Sequence, residues 1–339
     1  MRSFVFGFIL LLIAACQSTT SVELQDRPLR VHVPKGFKPI KYPEDNEPTE
    51  LRVLLGRHLF YDTRLSLDNT VSCGTCHVLS AAFTDGRKTS EGILKRIGKR
   101  NAPTLANVAW APRFMMEGGV PTLEAQSLAP LHDTLEMGGD MMVAVAKLNR
   151  DEELRKLARA AYGRDSIDPF VITRALAAFQ RTFITADSPY DRYKNGKTDE
   201  LTEAQIRGME LFNSTKTMCF SCHSGPNFTD YAFYNIGLYE EYADEGRQRL
   251  TGEDSDNGRF KTPTLRNIEL TAPYMHDGSV SSLEEVIQLY NEGGKRHRNK
   301  DARIKPLHLT EREQADLVAF MKALTDYNFV QNPALLPLK

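Results

Sequence analysis

The sequence predicts an all-α protein built from two similar halves, and three observations lead to this prediction. A Cys-x-x-Cys-His run occurs at residues 73–77 and again at residues 219–223. The stretches on either side of the two runs repeat each other in the same order. No stretch shows the sustained alternation of apolar and polar residues that a half-buried strand requires. With 339 residues, the chain is long enough for two domains that each have their own core.

The paired Cys-x-x-Cys-His runs are the attachment signature of c-type haem, in which two thiols form thioethers with the porphyrin and the histidine binds the iron. The alternatives are a zinc half-site, which needs four ligands, and a redox dithiol, which has no use for a fixed histidine. Because four of the five cysteines lie in these runs, we expect two covalently bound haem c groups. The fold is then two cytochrome c-like haem domains related by internal duplication. The predicted haem-binding residues are Cys73, Cys76 and His77, and Cys219, Cys222 and His223.

The N-terminus carries an apolar stretch, residues 4–15, that is too short to span a bilayer and ends in small residues before Cys16. This pattern is typical of a bacterial lipoprotein signal peptide with its lipobox, residues 1–16, and predicts a lipid on the Cys16 sulfur that tethers the protein to a membrane. The alternative is a plain secretory signal with an incidental cysteine. Gln17 favours the outer membrane, facing the periplasm. Residues 17–48 are rich in proline and predict an extended tether.

Two domains follow, at residues 49–190 and 191–339, and their elements recur in order. A short helical pattern precedes each Cys-x-x-Cys-His run, at residues 55–60 and 207–212. The runs are followed by Phe-Thr-Asp at 83–85 and 228–230, and by Pro-Thr-Leu-x-Asn at 103–107 and 263–267. Helices are predicted to open at Thr122 and Ser282, which are capping hydroxyls. Amphipathic helices at 172–183 and 313–324 close the halves, and a polar stretch at 189–198 joins them.

Charge gives no reason to expect nucleic-acid binding. The 43 basic and 44 acidic residues leave a net charge of -1, so the chain as a whole would not attract a polyanion.

A haem iron bound by one histidine has a sixth coordination position. The group that fills this position decides whether the haem transfers electrons or reacts with a substrate. The internal repeat shows where the two halves differ at this position. Tyr290 lies seven residues beyond Leu283 on the second-half helix, and Pro130 lies seven beyond Leu123 in the first half. A phenolate oxygen can bind iron, whereas a proline ring cannot. We therefore expect a closed second haem and an open first one. An ordinary core role for Tyr290 is the alternative, and Met275, His276 and His297 are rival ligands.

Residues 264–267, Thr-Leu-Arg-Asn, and 272–279, Ala-Pro-Tyr-Met-His-Asp-Gly-Ser, together with the paired haem runs, resemble the bacterial di-haem cytochrome c peroxidase and MauG family. The resemblance covers residues 49–324. The position of Tyr290 is methionine in the peroxidases and tyrosine in MauG-like members, so the resemblance places this chain nearer the MauG side. It also implies that the N-terminal haem is the open, peroxidatic one.

The resemblance implies catalytic roles for Gln126, Pro130 and Glu136, which match the family's distal glutamine, proline and acidic residue. Glu136 also has a chemical reason of its own. Heterolytic cleavage of hydrogen peroxide moves a proton from the inner to the outer oxygen, which a carboxylate can do as base and then as acid. The alternative is a surface glutamate without a role.

The chain departs from the family at three places. Reductively activated peroxidases carry a capping histidine after the first haem run, but no histidine occurs between His77 and His132, so the first haem should be open as made. Met116 stands where the family has a tryptophan between the haems, and Thr217 where MauG has its surface tryptophan. Trp110 is the only tryptophan, so a tryptophan relay is not expected.

The family also holds a calcium ion between its domains. The resemblance carries its ligands, one asparagine side chain and two backbone carbonyls, onto Asn101, Thr271 and Pro273. Neutral oxygens of this kind, completed by water, suit calcium. A turn role for Asn101 is the alternative.

The sequence therefore predicts a di-haem c-type peroxidase that cleaves hydrogen peroxide at the N-terminal haem. Its electrons would come through the C-terminal haem from a redox protein, such as a small cytochrome or a cupredoxin, or from a protein substrate whose aromatic residues it oxidises, as for MauG. The alternative is a non-enzymatic, membrane-tethered electron-transfer cytochrome. In it, His58 or His132 occupies the sixth coordination position of the first iron.

Overall fold

The computed structural model describes residues 24–338, so the predicted signal peptide and Cys16 lie outside the described residues. The described chain is mainly helical, which confirms the predicted α class. The helices of the first half are α1 (Glu50–Phe60), α2 (Cys73–Cys76), α3 (Leu123–Gln126), α4 (Leu128–His132), α5 (Met141–Leu148), α6 (Glu152–Tyr162) and α7 (Pro169–Gln180). Between them run loops and short 3-10 turns.

The second half repeats the plan with fewer helices and one small sheet. Its helices are α8 (Pro189–Lys194), α9 (Glu203–Phe212), α10 (Gln248–Thr251), α11 (Leu283–Glu292), α12 (Glu311–Lys322) and α13 (Tyr327–Val330). Strands β1 (Phe233–Tyr234) and β2 (Phe260–Lys261) pair antiparallel, with Phe233 opposite Lys261. Helix α8 lies in the stretch predicted as a polar linker, because Ser188 caps it in a capping box with Asp191.

A close crossing of two helices occurs once in each half. Helix α1 packs on α7, and α9 packs on α12. A Cβ atom on Gly56 would collide with the carbonyl of Ala175, and one on Gly208 with the carbonyl of Asp316. Glycine is therefore required at both crossings, because only a residue without a side chain lets the two backbones approach this closely.

Aromatic rings fill the core behind each crossing. In the first half Phe60 and Phe179 meet edge to face at 5.5 Å, and Phe83 stacks on Phe183 at 4.0 Å. In the second half Phe212 and Phe320 lie 5.3 Å apart. These rings anchor the segments that follow each Cys-x-x-Cys-His run.

The asparagine of each Pro-Thr-Leu-x-Asn repeat joins its loop to the end of the closing helix. Asn107 and Asn267 both adopt positive φ, 55° and 58°, a conformation that asparagine tolerates better than most residues. The Asn107 amide oxygen accepts from the Thr185 N–H at 2.9 Å, and that of Asn267 accepts from Asp326 at 2.8 Å. In addition, Asn107 donates to the side chain of Asn227 at 2.8 Å, which links the two halves.

The predicted tether, as far as it is described, packs against the first domain instead of hanging free. Asn46 is fully buried and donates to Glu124 at 2.9 Å. The Trp110 indole donates to the Lys38 carbonyl at 2.7 Å, and its ring packs on Phe37 at 4.7 Å. Proline content correctly indicates extended backbone here, but it does not reveal these long-range contacts.

Candidate functional site

Each Cys-x-x-Cys-His run forms a tight turn that orients its histidine. Nδ1–H of His77 donates to the Phe83 carbonyl at 2.8 Å, and that of His223 donates to the Phe228 carbonyl at 3.0 Å. This bond leaves Nε2 of each ring as the lone-pair nitrogen. Burial lowers the pKa of both imidazoles, so they are neutral. A neutral, oriented Nε2 is what an axial iron ligand requires.

Both turns open onto one cavity of about 530 Å³ that runs between the halves. Its wall includes Cys76, His77, Cys222 and His223, and its surface is mostly apolar. The four thiols of the two runs form no disulfide, and burial raises their pKa, which disfavours a reactive dithiol. These residues fit haem. Among residues 24–338, no group of three or more His, Cys, Asp and Glu side chains is placed to hold a metal ion.

Tyr290 lies on α11 and lines this cavity. Within residues 24–338 its hydroxyl has no hydrogen-bond partner, unlike that of an ordinary core tyrosine, and burial raises its pKa. Among the rivals, both ring nitrogens of His297 are engaged, by Asn235 at 3.0 Å and Asn257 at 3.1 Å. His276 and Met275 also line the cavity, but His276 is stacked on Phe260 at 4.0 Å.

The corresponding segment of the first half is broken. Helix α3 ends at Gln126, and α4 begins two residues later and carries Pro130. Gln126, Pro130 and Glu136 all line the cavity together with His77. Neither His58 nor His132 lines it, although both are among the described residues. Pro130, a ring without a donor atom, thus lines the cavity from the first half, and Tyr290, a phenol, lines it from the second.

Glu136 has an unusual acidity. The side chain is exposed to the open cavity, but the protein packed around the carboxyl group, together with the nearby Asp133 carboxylate, raises its pKa to about 7. A carboxyl group with this pKa can both accept and donate a proton near neutral pH. The sequence shows the neighbouring Asp133 but not the larger cause of the shift, which is desolvation in the folded protein.

The two positions where the family has tryptophan, Met116 and Thr217, both lie on the wall of the cavity. Met116 lines the cavity between the halves. Thr217 is buried, and its hydroxyl donates to the Leu211 carbonyl at 2.5 Å. Trp110 does not line the cavity and packs beneath the N-terminal segment.

Asn101, Thr271 and Pro273 all line the cavity between the halves. The Asn101 side-chain amide donates to the Arg87 carbonyl at 2.8 Å, which leaves its oxygen free to face a cation. Thr271 donates its hydroxyl to the Ile268 carbonyl at 3.1 Å. The donor set is neutral oxygen, which calcium accepts.

An ion-pair network at the domain boundary escaped sequence reasoning. Arg100 pairs with Asp244 at 2.6 Å and also with Glu117. Arg249 reaches Glu117 from the second half. These residues are far apart in sequence and carry no motif, so only the fold brings them together. The network joins the two halves beside the cavity.

Comparison with known proteins agrees with this geometry. A profile described as di-haem cytochrome c peroxidase matches residues 50–199, and one described as cytochrome c matches residues 205–325. The methylamine utilization protein MauG of Methylophilus methylotrophus is 35% identical, over 84% of this chain and 85% of that protein. The chain belongs to the di-haem cytochrome c peroxidase and MauG family.

Two further relatives support this membership. The cytochrome-c peroxidase IdrP1 of Pseudomonas sp. strain SCT is 33% identical, over 85% of this chain and 84% of that protein. A solved structure described as a MauG-like protein associated with microbial copper homeostasis superposes with a TM-score of 0.87 at 37% identity, over 91% of this chain and 99% of that one. The predicted pair of cytochrome c-like domains is thereby confirmed.

Membership establishes the general chemistry. The chain is an oxidoreductase of the di-haem peroxidase class with two covalently bound c-type haems, and the prediction of an enzyme is confirmed.

No helix within residues 24–338 is long and apolar enough to cross a membrane.

Proposed function

We propose that the protein cleaves hydrogen peroxide in its N-terminal half and draws the electrons from a protein partner through its C-terminal half. The observation that carries this proposal is the contrast between Pro130 and Tyr290 at equivalent positions, both on the wall of the cavity. Haem, when bound at His77, supplies the iron at which peroxide meets the protein. His223 and Tyr290, which both line the cavity, would hold the C-terminal haem, and that haem would serve as the electron-transfer centre.

Glu136 moves the proton in this reaction. Its carboxylate accepts a proton from the inner oxygen of peroxide and returns it to the outer oxygen, which leaves as water. A pKa of about 7 makes both transfers accessible at neutral pH. Gln126 lies on the same wall and orients the peroxide by hydrogen bonding, while Pro130 keeps the distal side free of a donor atom.

The partner in this proposal is a protein too large to enter the cavity, so its electrons travel through the second half. The free Tyr290 hydroxyl and the lack of a capping histidine after His77 favour a MauG-like enzyme that oxidises aromatic residues of its partner. The likeness to the MauG-like protein associated with copper homeostasis supports the same branch. A small cytochrome or cupredoxin as electron donor is the alternative partner.

One experiment separates these outcomes. The purified holoprotein is mixed with peroxide, with and without a reduced small cytochrome c, and followed by stopped-flow absorbance. A long-lived oxidised state that ignores the cytochrome supports modification of a protein substrate, whereas rapid oxidation of the cytochrome identifies a detoxifying peroxidase. An unchanged ferric spectrum after peroxide would refute both.

Two further features belong to this proposal. Asn101 Oδ1 and the main-chain oxygens of Thr271 and Pro273 would hold a calcium ion that stiffens the boundary between the halves. A lipid on Cys16 would anchor the protein to the periplasmic face of the outer membrane. Mass spectrometry of the N-terminal peptide, and membrane fractionation of a Cys16→Ala variant, test the anchor.

A further inference from the structure

Tyr234 on β1 is joined to a carboxylate. Its hydroxyl donates to Asp230 Oδ2 at 2.7 Å. Within residues 24–338, two other tyrosine hydroxyls donate to carboxylates: that of Tyr239 to Asp277 at 2.6 Å and that of Tyr327 to Glu269 at 3.3 Å. A phenol paired in this way can lose its proton to the carboxylate at the moment it loses an electron.

The Tyr234 pair differs from the other two because it is fastened to the second Cys-x-x-Cys-His turn. The Asp230 backbone N–H donates to the Cys222 carbonyl at 2.8 Å. The Arg303 guanidinium lies over the Tyr234 ring, 4.6 Å from its centre, and donates to both the carbonyl and the hydroxyl of Ser221 at 3.3 Å. Tyr234 also lines the cavity beside Cys222. Two separate links thus hold the phenol against the turn that carries His223.

Arg303 is fixed in place and determines how Tyr234 can be oxidised. It makes two parallel bonds to Asp301, each of 2.8 Å, so its charge stays over the ring. A cation favours the face of an electron-rich ring and disfavours a ring that has become positive. Oxidation of Tyr234 therefore has to release the hydroxyl proton, and Asp230 is within reach to accept it.

We propose that Tyr234 is a redox-active tyrosine that connects the C-terminal haem with the protein partner, an inference that rests on the proposed function. In the first step Tyr234 gives one electron to the oxidised C-terminal half; its O–H bond breaks, and the proton passes to Asp230 Oδ2. In the second step the partner gives one electron to the tyrosyl radical, and the proton returns from Asp230 to the phenolic oxygen. The oxidant is hydrogen peroxide, acting through the haem irons.

Tyr234 would connect the partner to the second half even though Met116 and Thr217 stand where the family has tryptophan. Thr217 is buried under the Leu211 carbonyl and has no redox chemistry. Trp110 does not line the cavity. Tyr234 is the aromatic side chain that both contacts the second haem turn through Arg303 and carries its own proton acceptor.

The test uses three tyrosine variants of the full holoprotein. Tyr234→Phe removes the hydroxyl and keeps the ring. Tyr327→Phe is the matched control, since that hydroxyl also meets a carboxylate but is not bonded to the turn, and Tyr239→Phe tests the third pair. Samples made with ring-deuterated tyrosine are freeze-quenched after peroxide, without a donor, and examined by electron paramagnetic resonance. We expect a radical whose resonance signal narrows on deuteration in the wild type and in both control variants. This signal should be absent in Tyr234→Phe.

Asp230→Asn supplies a second readout. It keeps the backbone link to Cys222 and removes the proton acceptor, so the radical should form roughly a hundredfold more slowly, in keeping with the usual size of acid–base assistance. Unchanged ferric spectra and melting temperatures establish that the variants are folded. A radical that survives in Tyr234→Phe, or one that disappears in Tyr239→Phe instead, would overturn the proposal.

A second oxidant separates this inference from the proposed function. Hexachloroiridate removes single electrons without involving peroxide cleavage. A Tyr234-dependent radical with hexachloroiridate but none with peroxide would sustain the redox tyrosine and refute the peroxide chemistry. A changed haem spectrum with peroxide, but no Tyr234-dependent radical with either oxidant, would refute the redox tyrosine alone.

Discussion

Replacement of Glu136 by glutamine removes the one carboxyl group to which we assign proton transfer. Burial and the Asp133 carboxylate raise the pKa of Glu136 to about 7. Because the base has to be deprotonated, only about a tenth of the enzyme is active at pH 6 and about nine tenths at pH 8, so the rate rises roughly tenfold over this interval. Glu136→Gln should lose this dependence and react about 10²- to 10⁴-fold more slowly.

The assay is stopped-flow absorbance of the ferric holoprotein with excess peroxide across this pH range. Asp133→Asn is the control for the electrostatic part of the argument. Removing a negative charge near Glu136 makes its ionisation easier, so the inflection should move to lower pH. Since burial is the larger cause of the raised pKa, the inflection of the Asp133→Asn variant should stay above the ordinary pKa range of a glutamate. A Glu136→Gln variant that keeps the wild-type rate and inflection would refute the reasoning.

Three further predictions concern ligation, packing and the calcium site. Tyr290→Phe should abolish the low-spin ferric signal while covalent haem is retained, as electron paramagnetic resonance and a haem stain will show; an unchanged signal would place the ligand elsewhere. Gly56→Ala and Gly208→Ala should each lower stability by about 1–3 kcal/mol, measured by thermal unfolding, because the added methyl meets a carbonyl across the helix crossing. An unchanged melting temperature would contradict that account. Chelation of calcium should alter the haem spin state of the wild-type protein, and adding calcium, but not magnesium, should restore it. The Asn101→Ala variant should not recover when calcium is added. A wild-type spectrum that does not respond to chelation would remove the calcium ion from the proposal.

Local signals in the sequence predicted many of the elements. Thr122 and Ser282 cap their helices as expected, with bonds of 3.2 Å to Ala125 and 3.1 Å to Glu285. The closing helices were predicted at 172–183 and 313–324, but they are Pro169–Gln180 and Glu311–Lys322. Asp168 with Pro169 starts the first, and the Thr310 capping box starts the second. Periodicity located the helices, whereas these caps set their bounds.

The contacts that the sequence did not predict join segments that lie far apart in the chain. Asn46 is buried against Glu124 although it lies in a proline-rich stretch. Arg100 meets Asp244 only because the two halves are packed together. Neither contact has a local signature, since each is formed by loops whose course is set by the rest of the fold. The internal repeat singled out Pro130 and Tyr290, and the structure places both on the wall of one cavity, but their roles stay predictions.

The interruption between α3 and α4 has an evolutionary consequence. Attachment turns, oriented imidazoles and glycine crossings are duplicated, so either copy on its own can secure its prosthetic group. Redundancy of this kind relieves one copy of selection to preserve a donor opposite the imidazole. Under the proposed function, a proline at position 130 is then enough to open the first haem to peroxide, while Tyr290 keeps the second as an electron-transfer centre.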